Sequence, residues 1–241
     1  MQAKDGFRSS WQPPPGFVYA PYTSPTSVLN RSKSKNMSEM LVATGIDFID
    51  RHWLLREFPP LRPTEHVNLG TPPTVVLEVG CGVGNTVFPL LEDNPHLFVY
   101  AVDFSPYAIE LLKANAQYNE QHCNGFVCDA SDSNSWPSQI AEASVDIVLL
   151  IFVLSAMSPE KMELALKNIH KVVKPGGIVC FRDYARGDLA QQRFEKDIEN
   201  KLGENFHVRG DGTRAYYFTK AQAKSLFEKA GFMVDWWIKV E

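Results

Sequence analysis

A doubly wound α/β fold, with a mostly parallel sheet covered by helices on both faces, is predicted from three features of this sequence. Apolar segments of strand length alternate with amphipathic segments of helix length from about residue 74 onward. One strand candidate runs into a glycine-rich loop that opens a helix, at Val75-Val76-Leu77-Glu78-Val79-Gly80-Cys81-Gly82-Val83-Gly84-Asn85. A further segment, Leu149-Leu150-Ile151-Phe152-Val153-Leu154, is apolar at every position, as a mid-sheet strand buried on both faces must be.

The elements follow in order. Residues 1–40 carry Pro13-Pro14-Pro15-Gly16, Pro21, Pro25 and many serines, a composition that cannot build a packed core, and are read as a disordered, variable segment. Lys4, Arg8, Arg31, Lys33 and Lys35 outweigh Asp5 and Glu39 there, so an organelle-targeting peptide, with a mitochondrial rather than cytoplasmic location, is the alternative. Residues 41–73 read as a helical extension and linker, with a helix around 38–58. Residues 74–241 form the α/β domain. Strands are expected at 75–79, 98–102, 125–128, 145–150 and 178–182, and helices near 85–91, 106–117, 159–173 and 220–230. Pro175-Gly176-Gly177 is expected to stop the long helix and turn the chain into the next strand.

Composition narrows the function classes. The chain has 241 residues, 44% hydrophobic and 12% aromatic, enough for one sizeable core. Its formal charge of -4 gives no general attraction to polyanions, so nucleic acid requires a local basic patch. The four cysteines form no CxxC pair and are expected as free thiols. The six histidines lack metal-ligand spacing, so no metal is expected, and neither is a Ser-His-Asp or Cys-His centre. The longest apolar run, residues 147–157, is too short to span a bilayer and is interrupted by Ser155.

The glycine loop begins a candidate ligand site. Gly80, Gly82 and Gly84 let backbone approach a ligand, the alternative being a tight turn with no ligand. Asp103 ends the next strand, where a carboxylate can accept from a ribose hydroxyl pair. A nicotinamide site would favour the spacing G-x-G-x-x-G, whereas the closer glycine spacing here favours S-adenosylmethionine. Asp129, in Cys128-Asp129-Ala130 at the third strand's end, can accept from an adenine amino group, or be an ordinary turn aspartate. Ile151, ending the fourth strand, either presses on the adenine or belongs to the core.

These segments, with Asp103-Phe104-Ser105, Ile151-Phe152-Val153-Leu154-Ser155-Ala156, Phe181-Arg182-Asp183-Tyr184 and Val208-Arg209-Gly210-Asp211-Gly212-Thr213-Arg214, carry a resemblance. Over about residues 48–232 the chain resembles the eukaryotic tRNA 3-methylcytidine methyltransferases of the methyltransferase-like group. That resemblance implies a Rossmann-like methyltransferase fold, with S-adenosylmethionine contacted at Gly80, Asp103, Asp129, Ala130 and Ile151. It implies methylation at N3 of a cytidine in the tRNA anticodon loop, threonine- and arginine-type tRNAs being favoured. A partner that presents the tRNA, such as an aminoacyl-tRNA synthetase, belongs to the same expectation.

Two departures from the family qualify it. No counterpart of its Trp-x-x-x-Tyr-Lys cofactor lid precedes Asp50-Arg51-His52-Trp53, where Met40-Leu41-Val42-Ala43-Thr44 stands instead. The chain stops at Glu241 after a sixth strand candidate over 233–240, so the sheet is expected to lack its last strand and to leave an unpaired edge.

The acceptor chemistry is placed after the fifth strand. Neutral cytidine carries a lone pair on N3 and needs no strong base. A carboxylate that accepts from the exocyclic amine helps as charge develops on the ring, and Asp183 is the candidate. Tyr184 can stack on an extruded base, while Arg182 with Asp183 can equally be a structural ion pair. Arg209 and Arg214, followed by Tyr216-Tyr217-Phe218, pair cations with aromatics as RNA binding would, hairpin core being the alternative for the aromatics. Two rival functions remain: a catalytically impaired tRNA- or synthetase-binding module, and a small-molecule methyltransferase.

Overall fold

The computed structural model describes residues 18–19, 53–63, 72–188, 191–192, 201–209 and 212–234. Its sheet strands are β1 (Val18–Tyr19), β2 (Thr74–Val79), β3 (Leu97–Asp103), β4 (Cys123–Val127), β5 (Val145–Ile151) and β6 (Val173–Arg182), in the order β1-β6-β5-β2-β3-β4. Every pairing is parallel. The order reverses between β2 and β5, the place where open α/β sheets form a crevice at their carboxyl ends.

Side chains alternate across this sheet with period two, and both faces are mainly apolar, with Glu78 a buried charged residue in β2. Val76, Ile147, Leu149 and Ile151 face one core, closed by Val87, Phe88 and Leu90 of α2 (Val87–Asp93) and by Ile109 and Leu112 of α3 (Pro106–Ala114). Leu77, Val79, Val148 and Leu150 face the other, closed by Met162, Ala165, Leu166 and Ile169 of α4 (Pro159–Val172). The doubly wound expectation therefore holds, and β5 lies mid-sheet.

The helix over 38–58 is described only from residue 53, where α1 is short (Leu54–Glu57) and a 3-10 turn follows (Pro59–Leu61). Residues 38–52 lie outside the described residues. Leu54, Phe58 and Leu61 are all fully buried against the sheet, and the Leu61 carbonyl accepts from Asn94 Nδ2 at 3.1 Å. This stretch is part of the core rather than a linker.

Other boundaries shift for local reasons. Phe152 leaves β5 with a φ of 58°, and Leu154–Ala156 form a 3-10 turn, so the apolar run does not stay extended to residue 154. The long helix ends at Val172, before the proline, and β6 starts at once. Pairing passes from Val145–Val173 to Ile147–Ile178, so Pro175-Gly176-Gly177 is looped out within the strand instead of separating helix from strand. At the outer edge of β6, β1 pairs with Val179 and Cys180, so that edge is partly covered rather than bare. Of the candidate strand over 233–240, Met233 and Val234 are not extended in a ladder and 235–240 lie outside the described residues.

A second sheet is antiparallel, with β7 (Lys201–Gly203), β8 (Phe206–Val208) and β9 (Arg214–Tyr216) in sequential order, and β9 packs on the turn at Leu154–Ala156. α5 (Lys220–Lys229) begins with a capping box formed by Thr219 and Gln222 and packs on α4.

The glycine at 84 tests this packing. Its φ is +95°, and a Cβ there would lie 2.3 Å from Phe88 Cε2 and 2.7 Å from Leu112 Cδ1. Gly84→Ala is therefore expected to cost about 2–4 kcal/mol, combining left-handed strain with overpacking, read as a lower urea midpoint.

Candidate functional site

The expected cofactor residues, with Arg182, Asp183 and Tyr184, sit at the carboxyl edge of the parallel sheet, whereas Arg209 and Arg214 are carried by the antiparallel β8–β9 hairpin. The glycine loop is tied down by Asp103. Its Oδ2 accepts from the Gly82 N–H at 2.9 Å and its Oδ1 from the Ser105 N–H at 2.9 Å. Ser105 then caps α3 by accepting from the Ala108 N–H, with Pro106 at the helix start, so the carboxylate links the loop to the helix. Each Asp103 oxygen keeps a second lone pair for a further donor.

The three glycines have different jobs. A Cβ on Gly82, at φ +55°, would meet no atom within 4 Å, so this position faces open space. A Cβ on Gly80 would meet Val153 Cγ2 at 2.4 Å, and Gly84 is a close-packing glycine. Only Gly82 matches the expectation of backbone cleared for a ligand.

Asp129 lies just beyond the end of β4, half-buried. Its Oδ1 accepts from the Ser131 N–H and hydroxyl, and its Oδ2 pairs with Lys161 Nζ at 2.8 Å. Burial would raise its pKa, but Lys161 and Ser131 outweigh that and hold it below the usual carboxylate value. Ala130 and Ile151 are 3% and 4% exposed. The Ala130 carbonyl already accepts from Trp136 Nε1 and Asn168 Nδ2, and Ile151 lies within the core cluster, which favours its packing role.

The segment 152–156 joins this cradle to the acceptor corner. Val153 packs at Gly80, and the Ser155 N–H donates to Asp183 Oδ2 at 2.9 Å. Asp183 Oδ1 accepts from the Tyr184 N–H. Although the residue keeps some exposed surface, its carboxylate lies among enough protein atoms that desolvation pushes its pKa up to about 6, opposed by the Ser155 and Tyr184 hydrogen bonds and by Arg209. The Arg209 guanidinium lies over the Tyr184 ring, 4.8 Å from its centroid, and Phe152 packs on the same ring with centroids 5.0 Å apart.

Arg182 does not present itself to RNA. It is 5% exposed, paired with Glu57 of α1, and lies 4.0 Å from the Trp53 ring centroid and 5.5 Å from that of Phe152. Successive strand residues point to opposite faces, which is why its partner is Glu57 rather than the adjacent Asp183. Arg214 is exposed on β9 opposite Val208, so the hairpin carries both arginines of the basic pair. Of its aromatics, Tyr217 and Phe218 are buried, which is the core reading, and Tyr216 is half-buried. Asp211 lies outside the described residues.

All four cysteines are buried and free, and no group of three or more metal-ligating side chains occurs among the described residues. No helix of the described residues is long and apolar enough to cross a membrane. Sequence reasoning missed Glu57, Trp53, Phe152 and Ser155. Trp53 and Glu57 stand one helical turn apart, a signal that becomes meaningful only with the burial of Arg182.

Residues 77–179 match the family described as "Methyltransferase domain", so the fold is that of a methyltransferase domain. Solved structures agree on the fold: a chain from a complex that contains the Haloferax volcanii Trm112 methyltransferase activator superposes with a TM-score of 0.55 at 19% identity, covering 83% of this chain and 77% of that one. A Pyrococcus horikoshii protein gives 0.54 at 18% identity, covering 81% and 89%. The tRNA N(3)-cytidine methyltransferase METTL6 of Rattus norvegicus is 50% identical over 205 residues, 85% of this chain and 70% of the relative. The human METTL6 enzyme is 49% identical over 77% of this chain, and METTL2 of Danio rerio 45% over 76%. The chain belongs to this tRNA N(3)-cytidine methyltransferase family. It spans 63% and 60% of the lengths of those human and Danio rerio relatives.

The Glu57–Arg182 pair supplies a test of how the acceptor corner is supported. Glu57→Gln takes a carboxylate away from the buried Arg182 guanidinium, so it is expected to cost about 1–3 kcal/mol of unfolding free energy, read by denaturant titration.

Proposed function

We propose that this chain is an S-adenosylmethionine-dependent tRNA methyltransferase that forms 3-methylcytidine in the anticodon loop, threonine- or arginine-type tRNAs being the favoured substrates. The observation that carries this reading is the coupling of two half-sites at one sheet edge: the Gly82–Asp103 cradle and the Asp183–Tyr184–Arg209 corner, joined by residues 152–156. The relatives bearing that activity, about half identical in sequence, support it.

The residues present fit the cofactor. Gly82 leaves the room that a Cβ would fill, and Asp103 keeps lone pairs for the ribose hydroxyls. Asp129 retains acceptor capacity toward the adenine amine beside its Lys161 contact. When bound, S-adenosylmethionine supplies an electrophilic methyl group on a sulfonium. The chain's own task is to place cytidine N3 in line with that methyl and to exclude water. Asp183 accepts from the exocyclic amine and stabilises positive charge developing on the ring. Arg209 and Arg214 hold the RNA backbone. With a formal charge of -4, the chain lacks general attraction for RNA, so a tRNA-presenting partner, an aminoacyl-tRNA synthetase among the candidates, belongs to the proposal.

Incubation with labelled cofactor and total tRNA, followed by nucleoside mass spectrometry, is expected to give 3-methylcytidine from the parent and none from Asp183→Ala. A different methylated nucleoside, or transfer only to small acceptors, would overturn the proposal. Gly82→Ala is expected to fold with a cost of about 1–2 kcal/mol from its left-handed backbone, yet to weaken cofactor binding by calorimetry.

Asp183 also predicts a pH profile. Its folded pKa of about 6 stands above the ordinary 3.8, so the fold favours the protonated form. Its stabilising contribution is full below pH 3.8 and is lost as pH rises through about 6. Activity needs the carboxylate, so kcat is expected to rise with pH through about 6 and then level off, opposite in direction to the stability effect.

A further inference from the structure

Phe152 is held in a conformation that its own side chain disfavours. Its φ of 58° lies in the left-handed region, where a bulky aromatic residue is an outlier. The conformation is pinned from both sides: the Phe152 N–H donates to the Arg182 carbonyl at 2.8 Å, Val153 packs at Gly80, and the Ser155 N–H donates to Asp183. Such strain persists only where the surroundings over-determine it, and it concentrates at ligand sites.

What the conformation achieves is a placement. The half-buried Phe152 ring leans on the core at the carboxyl end of β5 and meets Arg182 and Tyr184, the two residues that flank Asp183, while the next residue, Val153, packs at Gly80. The Phe152 ring is tilted 39° on Tyr184, with the Arg182 guanidinium 5.5 Å from its centroid. Arg182 is itself fixed by Glu57 and Trp53, so the ring has a rigid cationic backing. Tyr184 alone makes a poor platform, because Arg209 lies over its ring.

We infer that Phe152 is the residue on which the acceptor cytidine stacks, its ring setting the plane of the base so that the exocyclic amine meets Asp183; this rests on the tRNA methylation proposed above. Every base has a π-face, so Phe152 sets the pose, while Asp183 selects a base that offers an amino group. Wedge packing between Arg182 and Tyr184 is the competing role.

The test uses an anticodon stem-loop RNA with the fluorescent base pyrrolocytosine at the loop cytidine, S-adenosylhomocysteine present, and affinity followed separately by anisotropy of a 5′ fluorescein. Parent protein and Phe152→Tyr are expected to quench the base on binding. Phe152→Leu, which keeps the apolar bulk and the backbone strain but lacks a π-face, is expected to bind RNA and cofactor as the parent does without quenching. With tRNA, its kcat/KM is expected to fall about ten- to a hundredfold, the worth of one base–aromatic stack, mainly in kcat. Full quenching by Phe152→Leu, or an equal loss in Phe152→Tyr, would overturn the inference and leave the methylation reading standing. A parent that neither binds the stem-loop nor methylates tRNA would overturn that reading and the inference with it.

Discussion

Burial of both faces of β2 and β5 leaves this domain one place to do chemistry. Val76 and Leu77, or Val148 and Leu149, point to opposite cores and are fully buried, and even the charged Glu78 of β2 is shut from solvent at 1% exposure. Polar groups must emerge where the strands end, and because all the pairings are parallel, they end along the same edge. Gly80, Asp103, Asp129, Phe152 and Asp183 are all consequences of that constraint.

The edge is then wired by backbone N–H groups that the strand ends leave unpaired. Asp103 takes two of them and fixes the glycine loop against the start of α3. Asp183 takes two others and fixes the turn after β5. Two carboxylates with the same local duty have different surroundings: Asp103 ties the glycine loop to α3, whereas Asp183 lies in the acceptor corner, where desolvation drives its pKa up to about 6. The difference suits their separate proposed roles, one holding a polar ligand and the other meeting a ring on which charge develops.

The N-terminal stretch proves to be structural support for this edge. Leu54, Phe58 and Leu61 close one face of the sheet, and Glu57 with Trp53 immobilises Arg182 directly behind Phe152. Its short helix and consecutive prolines resemble a linker because burial there relies on single side chains rather than on a periodic face.

Local pattern alone determined the α/β order, the glycine loop, Asp103 as the residue at its side, and Asp183 at the end of β6, because strand period, glycine spacing and helix stop signals act over a few neighbouring residues. Family resemblance then named the chemistry. Only tertiary structure decided that Gly82 is open while Gly84 is packed, that Arg182 is buried by Glu57 at 125 residues' separation, and that Phe152 turns out of its strand. Those outcomes depend on which distant side chain arrives to fill a space or pair a charge, and such meetings leave no trace in the spacing of neighbouring residues.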